Sequence, residues 1–152
     1  MIEVLRNVHL SHWSAVQDHF AGDAPPEGWY VVNCTKDLPM AGPEGARLAV
    51  NDDRRDDLRD QRTMTAELPR VVALIDRELR NGRDVIVHCL AGRQRSATVV
   101  CAYIIHRHGM TVDAAVAYLR GKKRDVFFAG MNFRESLDEF YERGLKAEVV
   151  AD

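Results

Sequence analysis

DVIVHCLAGRQRSATVVCAYII, residues 84–105, is the stretch that decides how this chain folds. Its opening DVIVH, 84–88, is rich in β-branched side chains and follows the turn formers Asn81 and Gly82, which suits a buried strand. From Ser96 to His108 the chain is apolar on most sides (Ala97, Val99, Val100, Cys101, Ala102, Tyr103, Ile104, Ile105), and Gly109 supplies a stop. A helix buried at the centre of a domain is expected there. Between the two lies HCLAGRQRS, 88–96, where a strand turns directly into a helix. Such a turn leaves several backbone N–H groups without helical partners, and successive amides curved around a point form a nest for a tetrahedral anion. Gly92 permits the tight curvature.

The flanking sequence completes an α/β pattern. WYVVNC, 29–34, reads as a second strand and Arg47 to Val50 as a third, shorter one. Glu67 to Arg80 places Leu68, Val71, Val72, Leu74, Ile75 and Leu79 at helical spacing, with Pro69 in the first turn or at a kink. An earlier helix is expected in SHWSAVQDHF, 11–20. Thr111 caps another that runs through Arg120 and ends at Gly121. A last amphipathic helix spans about 132–143, with Phe133, Leu137, Phe140 and Tyr141 on one face. Strands alternating with helices predict a small mixed, largely parallel sheet flanked by helices. Residues 1–152 read as one domain, because there are no repeats or linker tracts and AGDAPPEG, 21–28, is the one loose stretch near the start.

Composition narrows the function classes. No apolar run approaches the ~20 residues that cross a bilayer. The start, MIEVLRNVHL, lacks the basic-then-apolar order of a secretory leader, so a cytoplasmic or nuclear location is expected. Cys34, Cys89 and Cys101 are odd in number and widely spaced, unlike a disulfide framework or a zinc knuckle, and reduced thiols are expected. A formal charge of -2 argues against a general nucleic-acid binder and leaves any anion affinity local.

The anion nest carries the chemistry. Loop amides and the helix dipole favour a thiolate at Cys89, since such settings lower a cysteine pKa from about 8.5 into a range of ~3.5–7.5. Arg95, six residues on, closes the loop with a guanidinium that donates two parallel hydrogen bonds to phosphoryl oxygens, which lysine does less well. The Ser96 hydroxyl is placed to hydrogen-bond the sulfur and help it leave. A match to HC-x-x-G-x-x-R-[ST] in a chain of this length has a chance expectation on the order of 10⁻⁵.

The chain resembles the dual-specificity branch of the cysteine-based protein tyrosine phosphatases. The likeness rests on VNCTKDLP, LIDRELRNG, VIVHCLAGRQRSATVVCAYI, MTVDAAVAYLRGKKR and NFRESLDEF, and so covers about Trp29 to Phe140. AGRQRSATVV also resembles versions of the domain carried by large DNA viruses. The resemblance implies Cys89 as nucleophile, Arg95 as phosphate clamp, Ser96 as the aid to breakdown of a cysteinyl phosphate, and the amides of Leu90, Ala91, Gly92, Arg93, Gln94 and Arg95 as a phosphate cradle. It implies a phosphorylated protein substrate and calls for no metal or other cofactor. It also implies a general acid on a separate loop, for which NDDRRDD, 51–57, supplies candidates. Asp52, just after the strand-like RLAV, is the first choice and Asp53 the next. The spacing from Asp52 to Cys89 is a few residues longer than the family's, which keeps Asp57 among the candidates.

The remaining residues carry two readings each. His88 either donates to loop carbonyls and tunes the thiolate or is a buried structural histidine. Arg93 is either a solvated loop arginine or a basic group favouring polyanions, so a phosphoinositide or RNA 5′-phosphate phosphatase is the alternative enzyme. A phosphopeptide-binding pseudophosphatase is the non-enzymatic one. Cys34 and Cys101 read as core residues, although some relatives pair a second cysteine with the nucleophile. Lys122, Lys123 and Arg124 read as a solvated helix end, and His12 and Trp13 as neighbours of the site.

Overall fold

The computed structural model describes residues 1–52 and 58–151, with backbone alone for 146–151. The candidate acids Asp53 and Asp57 lie outside the described residues. Among the described residues the elements follow as β1 (Ile2–Leu5), β2 (Val8–His12), α1 (Trp13–Phe20), β3 (Trp29–Asn33), β4 (Gly45–Arg47), α2 (Leu58–Arg80), β5 (Asp84–Cys89), α3 (Arg95–His108), α4 (Val112–Lys122) and α5 (Arg134–Ala151). The sheet order is β1-β2-β5-β3-β4. Only β1 and β2 are antiparallel, and β2, β5, β3 and β4 run parallel, as the mixed, largely parallel sheet requires.

The strand ending in Cys89 is therefore central, with a parallel neighbour on each side. Period-2 alternation divides its side chains between two layers. Val85, Val87 and Cys89 join Tyr30 and Val32 of the neighbouring strand, and Cys34 just beyond its end, in the main core, which α2, α3 and α5 cover. Ile86 and His88 point to the other layer, where α1 brings Val16 and Trp13. Ala97 to Ile105 of α3 are all buried, the expected central helix, and Gly109 ends it in the left-handed conformation with φ 65°. None of the described helices is long and apolar enough to cross a membrane.

Several boundaries differ from expectation, each for a local reason. The first two strands were not anticipated. They form a hairpin around Arg6 and Asn7, and Asn7 takes the left-handed φ of 65° that asparagine tolerates. Ser11 and His12 belong to β2, so α1 begins only at Trp13, with His12 as its cap accepting from the Ala15 N–H at 3.3 Å. The short strand is Gly45–Arg47 rather than 47–50. Leu48 and Val50 lie buried past the end of this strand, although the Leu48 N–H still donates to the Asn33 carbonyl of β3 at 2.9 Å. α2 starts at Leu58 rather than Glu67, since Asp60, Met64, Leu68, Val71 and Ile75 are buried along one continuous face. Pro69 consequently sits mid-helix. α4 continues through Gly121 to Lys122, where the Lys123 N–H donates to the Leu119 carbonyl at 2.9 Å, and α5 extends to Ala151. The Thr111 cap is present, its hydroxyl accepting from the Ala114 N–H at 3.2 Å.

Candidate active site

Residues 89–95 wrap around the end of the central strand. Gly92 makes the tightest approach: its φ is 71°, and a Cβ there would lie 2.9 Å from the Ser11 carbonyl oxygen on β2. The bend turns the Gly92 N–H toward the Cys89 sulfur, to which it donates at 3.3 Å. Ser96, fully buried in the first turn of α3, puts its hydroxyl 3.1 Å from the same sulfur. Two donors thus converge on Sγ, an arrangement suited to holding a sulfur anion. Among the described residues, no protein acceptor takes the amide hydrogens of Ala91, Arg93 and Gln94. The exposed rim carries Leu90 and Ala91.

Arg95 is half-buried and reaches across to the acid-loop side, where Nη1 donates to the Val50 carbonyl at 3.1 Å. Its Nε is buried without a partner among the described residues, which leaves donor capacity for an anion. Two residues on from Val50, Asp52 accepts from the Asn132 side-chain amide through Oδ1 and, at 3.4 Å, through its backbone carbonyl. The candidate acid is thereby tied to the segment between α4 and α5.

That segment also grips the loop itself. Gln94 is buried, donating through Nε2 to the Gly130 carbonyl at 2.8 Å and the Phe128 carbonyl at 3.4 Å, while its Oε1 accepts from the Asn132 N–H at 3.0 Å. The Phe127 N–H donates to the Arg93 carbonyl at 2.8 Å. Arg93 is exposed but not solitary: Nε donates to Asp125 at 3.0 Å, and Asp125 also pairs with Lys123. The Lys123 hydrogen bond, with Arg93 adding to it, holds the Asp125 carboxyl below its usual range.

His88 is completely buried and stacks on Trp13, ring centroids 5.5 Å apart. Burial pushes its pKa down, and Nδ1 donates to the Cys89 carbonyl at 3.3 Å, the setting of a buried, hydrogen-bonded histidine. Trp13 borders the loop as well, its N–H donating to the Leu90 carbonyl at 3.1 Å. Cys34 and Cys101 are buried core thiols. Burial raises both, Cys101 to about 12, and the Cys89 charge raises Cys34 further. Among the described residues no cluster of His, Cys, Asp or Glu could hold a metal ion.

Cys89, Gly92, Arg95 and Ser96 are brought together as expected, with Asp52 on the adjoining segment. Sequence reasoning missed Asn132, Asp125 and the Gln94 side chain. Their contacts span 80, 32 and 36 residues, and no local pattern announces them.

Comparison with known proteins agrees with the geometry. The family model for the dual specificity phosphatase catalytic domain matches residues 29–143. The tyrosine phosphatase-like protein 123R of Invertebrate iridescent virus 6 is 32% identical over 117 residues, covering 77% of this chain and 77% of that one. Mpk3 of Drosophila melanogaster, a dual specificity protein phosphatase, is 33% identical over 102 residues, covering 64% of this chain; the chain spans only 23% of its length. Among solved structures, human DUSP28 superposes with a TM-score of 0.77 at 22% identity, over 97% of this chain and 99% of that one, a likeness of fold.

Proposed function

This chain belongs to the dual specificity phosphatase family, whose members are phosphoric monoester hydrolases, and we propose that it cleaves phosphotyrosine and phosphoserine or phosphothreonine esters through a cysteinyl phosphate on Cys89. One observation carries the reading: the Ser96 hydroxyl and the Gly92 amide converge on the Cys89 sulfur inside a loop that Arg95 closes.

In the first step the Cys89 thiolate attacks phosphorus in line, forming the S–P bond as the P–O bond to the leaving group breaks. Loop amides and Arg95 neutralise the equatorial oxygens, and Asp52 gives its proton to the departing oxygen. In the second step the Asp52 carboxylate takes a proton from water, whose oxygen attacks phosphorus. The S–P bond breaks, and Ser96 donates a hydrogen bond to the sulfur as it regains the electron pair. The chemistry suits a reducing compartment such as the cytoplasm, because oxidation removes the nucleophile.

Exposed Leu90 on the loop and exposed Phe128, whose carbonyl accepts from Gln94, support the dual-specificity reading, since both offer apolar surface to the residues flanking either kind of phosphoester. The Arg93–Asp125–Lys123 cluster weighs against a polyanion-selective site, since Asp125 offsets the charge at the crest of the loop. The test is phosphate release from a small aryl phosphate and from matched phosphotyrosine and phosphothreonine peptides by wild type, Cys89→Ser, Arg95→Lys and Asp52→Asn. Turnover by wild type, abolished by the first two changes and weakened by the third, is expected. Phosphopeptide binding without turnover by wild type would replace the enzyme reading with a pseudophosphatase.

A further inference from the structure

Asn132 stands where three separated parts of the chain meet. Its N–H donates to Gln94 Oε1 at 3.0 Å, and Gln94 is the last loop residue before α3. Its side-chain amide donates to Oδ1 and to the backbone carbonyl of Asp52. Its own carbonyl accepts from Gln61 Nε2 on α2 at 2.7 Å. Gln94 is fixed in turn by the Gly130 and Phe128 carbonyls. A continuous run of hydrogen bonds therefore links the phosphate loop to the candidate acid, Gln94 to Asn132 to Asp52.

We propose that Asn132 is the positioning residue for the general acid, a role that rests on the assignment of Asp52 to that step. Proton transfer requires the carboxyl within hydrogen-bond reach of the leaving oxygen, roughly 2.6–3.2 Å, while the sulfur attacks from the opposite side. Asp52 is exposed and lies outside the regular strands and helices, so its place relative to Cys89 depends on contacts made across the fold. Asn132 supplies that reference. One bond from its amide sets the Asp52 rotamer, the other sets the chain that bears it, and both originate from a residue anchored to the phosphate loop. Gln61 keeps the Asn132 peptide from turning, because it occupies the carbonyl on the other side. Asn132 touches no reacting atom; it acts through Asp52.

A positioning role and a merely structural one differ in how the loss depends on the leaving group. The phenolate of 4-nitrophenyl phosphate departs with little protonation, whereas that of phenyl phosphate needs the acid. kcat/KM, which reports the first step, is measured on both esters for wild type, Asn132→Ala, Asn132→Asp, Asp52→Asn and Asn132→Ala/Asp52→Asn. Asn132→Asp keeps size and both backbone bonds while setting carboxylate against carboxylate, so it decides the matter if Asn132→Ala folds poorly. The expected result is a loss of about 10- to 100-fold on phenyl phosphate, part of the ~10²–10⁴-fold that general acids contribute, with a change under about threefold on 4-nitrophenyl phosphate. The double variant should lose no more than Asp52→Asn alone. Equal losses on both esters, or none on either, would overturn the proposal. If Asp52→Asn itself spares phenyl phosphate, the assignment of the acid fails; if Asp52→Asn loses selectively and the Asn132 variants do not, only the positioning role fails.

Discussion

Replacing Gly92 by alanine should damage the protein in two ways that can be separated. At φ 71° a Cβ alone costs about 1 kcal/mol. That Cβ would also stand 2.9 Å from the Ser11 oxygen and 3.1 Å from its carbonyl carbon, both backbone atoms of a paired strand that cannot rotate aside. The loop must therefore shift, drawing the Gly92 amide away from the sulfur it now meets at 3.3 Å. Strain and displacement together amount to roughly 2–3 kcal/mol, which at ~2–4 °C per kcal/mol for a chain of this size lowers Tm by about 4–12 °C. A misplaced cradle should also reduce kcat/KM by about 10²-fold. Gly82→Ala is the control: its φ of 81° is as demanding, but no atom lies within 4 Å of the added Cβ. It should lose only the conformational part, about 1 kcal/mol, with activity intact. Thermal melting and aryl phosphate turnover on both variants measure the two parts. Equal Tm losses, or kcat/KM for Gly92→Ala within about threefold of wild type, would refute the close-approach argument.

Ser96→Ala should preserve the first turnover and slow later ones, giving a burst of phenol followed by a steady rate down about 10- to 100-fold; no burst and an unchanged steady rate would remove the hydroxyl from the second step. Asp125→Asn releases Arg93 and Lys123, so kcat/KM for a doubly phosphorylated peptide relative to a singly phosphorylated one should rise about three- to tenfold, and an unchanged ratio would deny the cluster a part in selectivity. Iodoacetate at neutral pH should carboxymethylate Cys89 and spare Cys34 and Cys101, whose thiols burial pushes up, Cys101 to about 12; peptide mass mapping that finds Cys101 modified as fast would contradict this. His88 is held neutral by burial, so below about pH 6.5 the unfolded chain takes up a proton that the native ring refuses, and stability present above that pH is lost as pH falls toward the lowered native pKa. His19, lowered by burial and by His9, adds in the same direction, so His88→Asn should flatten, not abolish, the fall of Tm between about pH 7 and 5.5; an unchanged slope would place the acid lability elsewhere.

What the sequence made legible was whatever is decided by neighbours along the chain. The strand ending at Cys89, the turn at Gly92 and the buried helix after it are contiguous, and each can be read from its own composition. Thr111 and Gly109 could be read as caps because capping is a matter of three or four residues. The failures arise where a tertiary contact sets the outcome. Leu48 and Val50 look like a strand because they are buried, yet the regular pairing with β3 stops at Arg47, with one more bond from the Leu48 N–H to Asn33, and the Val50 carbonyl serves Arg95 instead. Pro69 suggests a helix start, but the amphipathic face from Asp60 onward, with Asp60 paired to Lys36 at 2.9 Å, outweighs one missing N–H. The first hairpin is diluted by Glu3, Asn7 and His9, and only the parallel partner β5 makes β2 a sheet strand. Asn132 was placed at a helix start, a position that gives no hint of its reach to Asp52.

The segment from Lys123 to Asn132 explains why so much of the site escaped a local reading. Phe127 and Ala129 hold φ of 59° and 65°, values that non-glycine residues keep only where their surroundings enforce them, at about 1–3 kcal/mol each. Here the surroundings are the phosphate loop: the Arg93 carbonyl takes the Phe127 N–H, and the Gln94 side chain bridges Phe128, Gly130 and Asn132. The support is mutual. The loop keeps the segment in a costly shape, and the segment holds the two loop residues that precede Arg95. From that same short stretch Asp125 restrains Arg93 and Asn132 restrains Asp52, so loop shape, local charge and the placement of the candidate acid share one support. A substitution that lets Phe127 or Ala129 relax should therefore be felt at Cys89 and at Asp52 together.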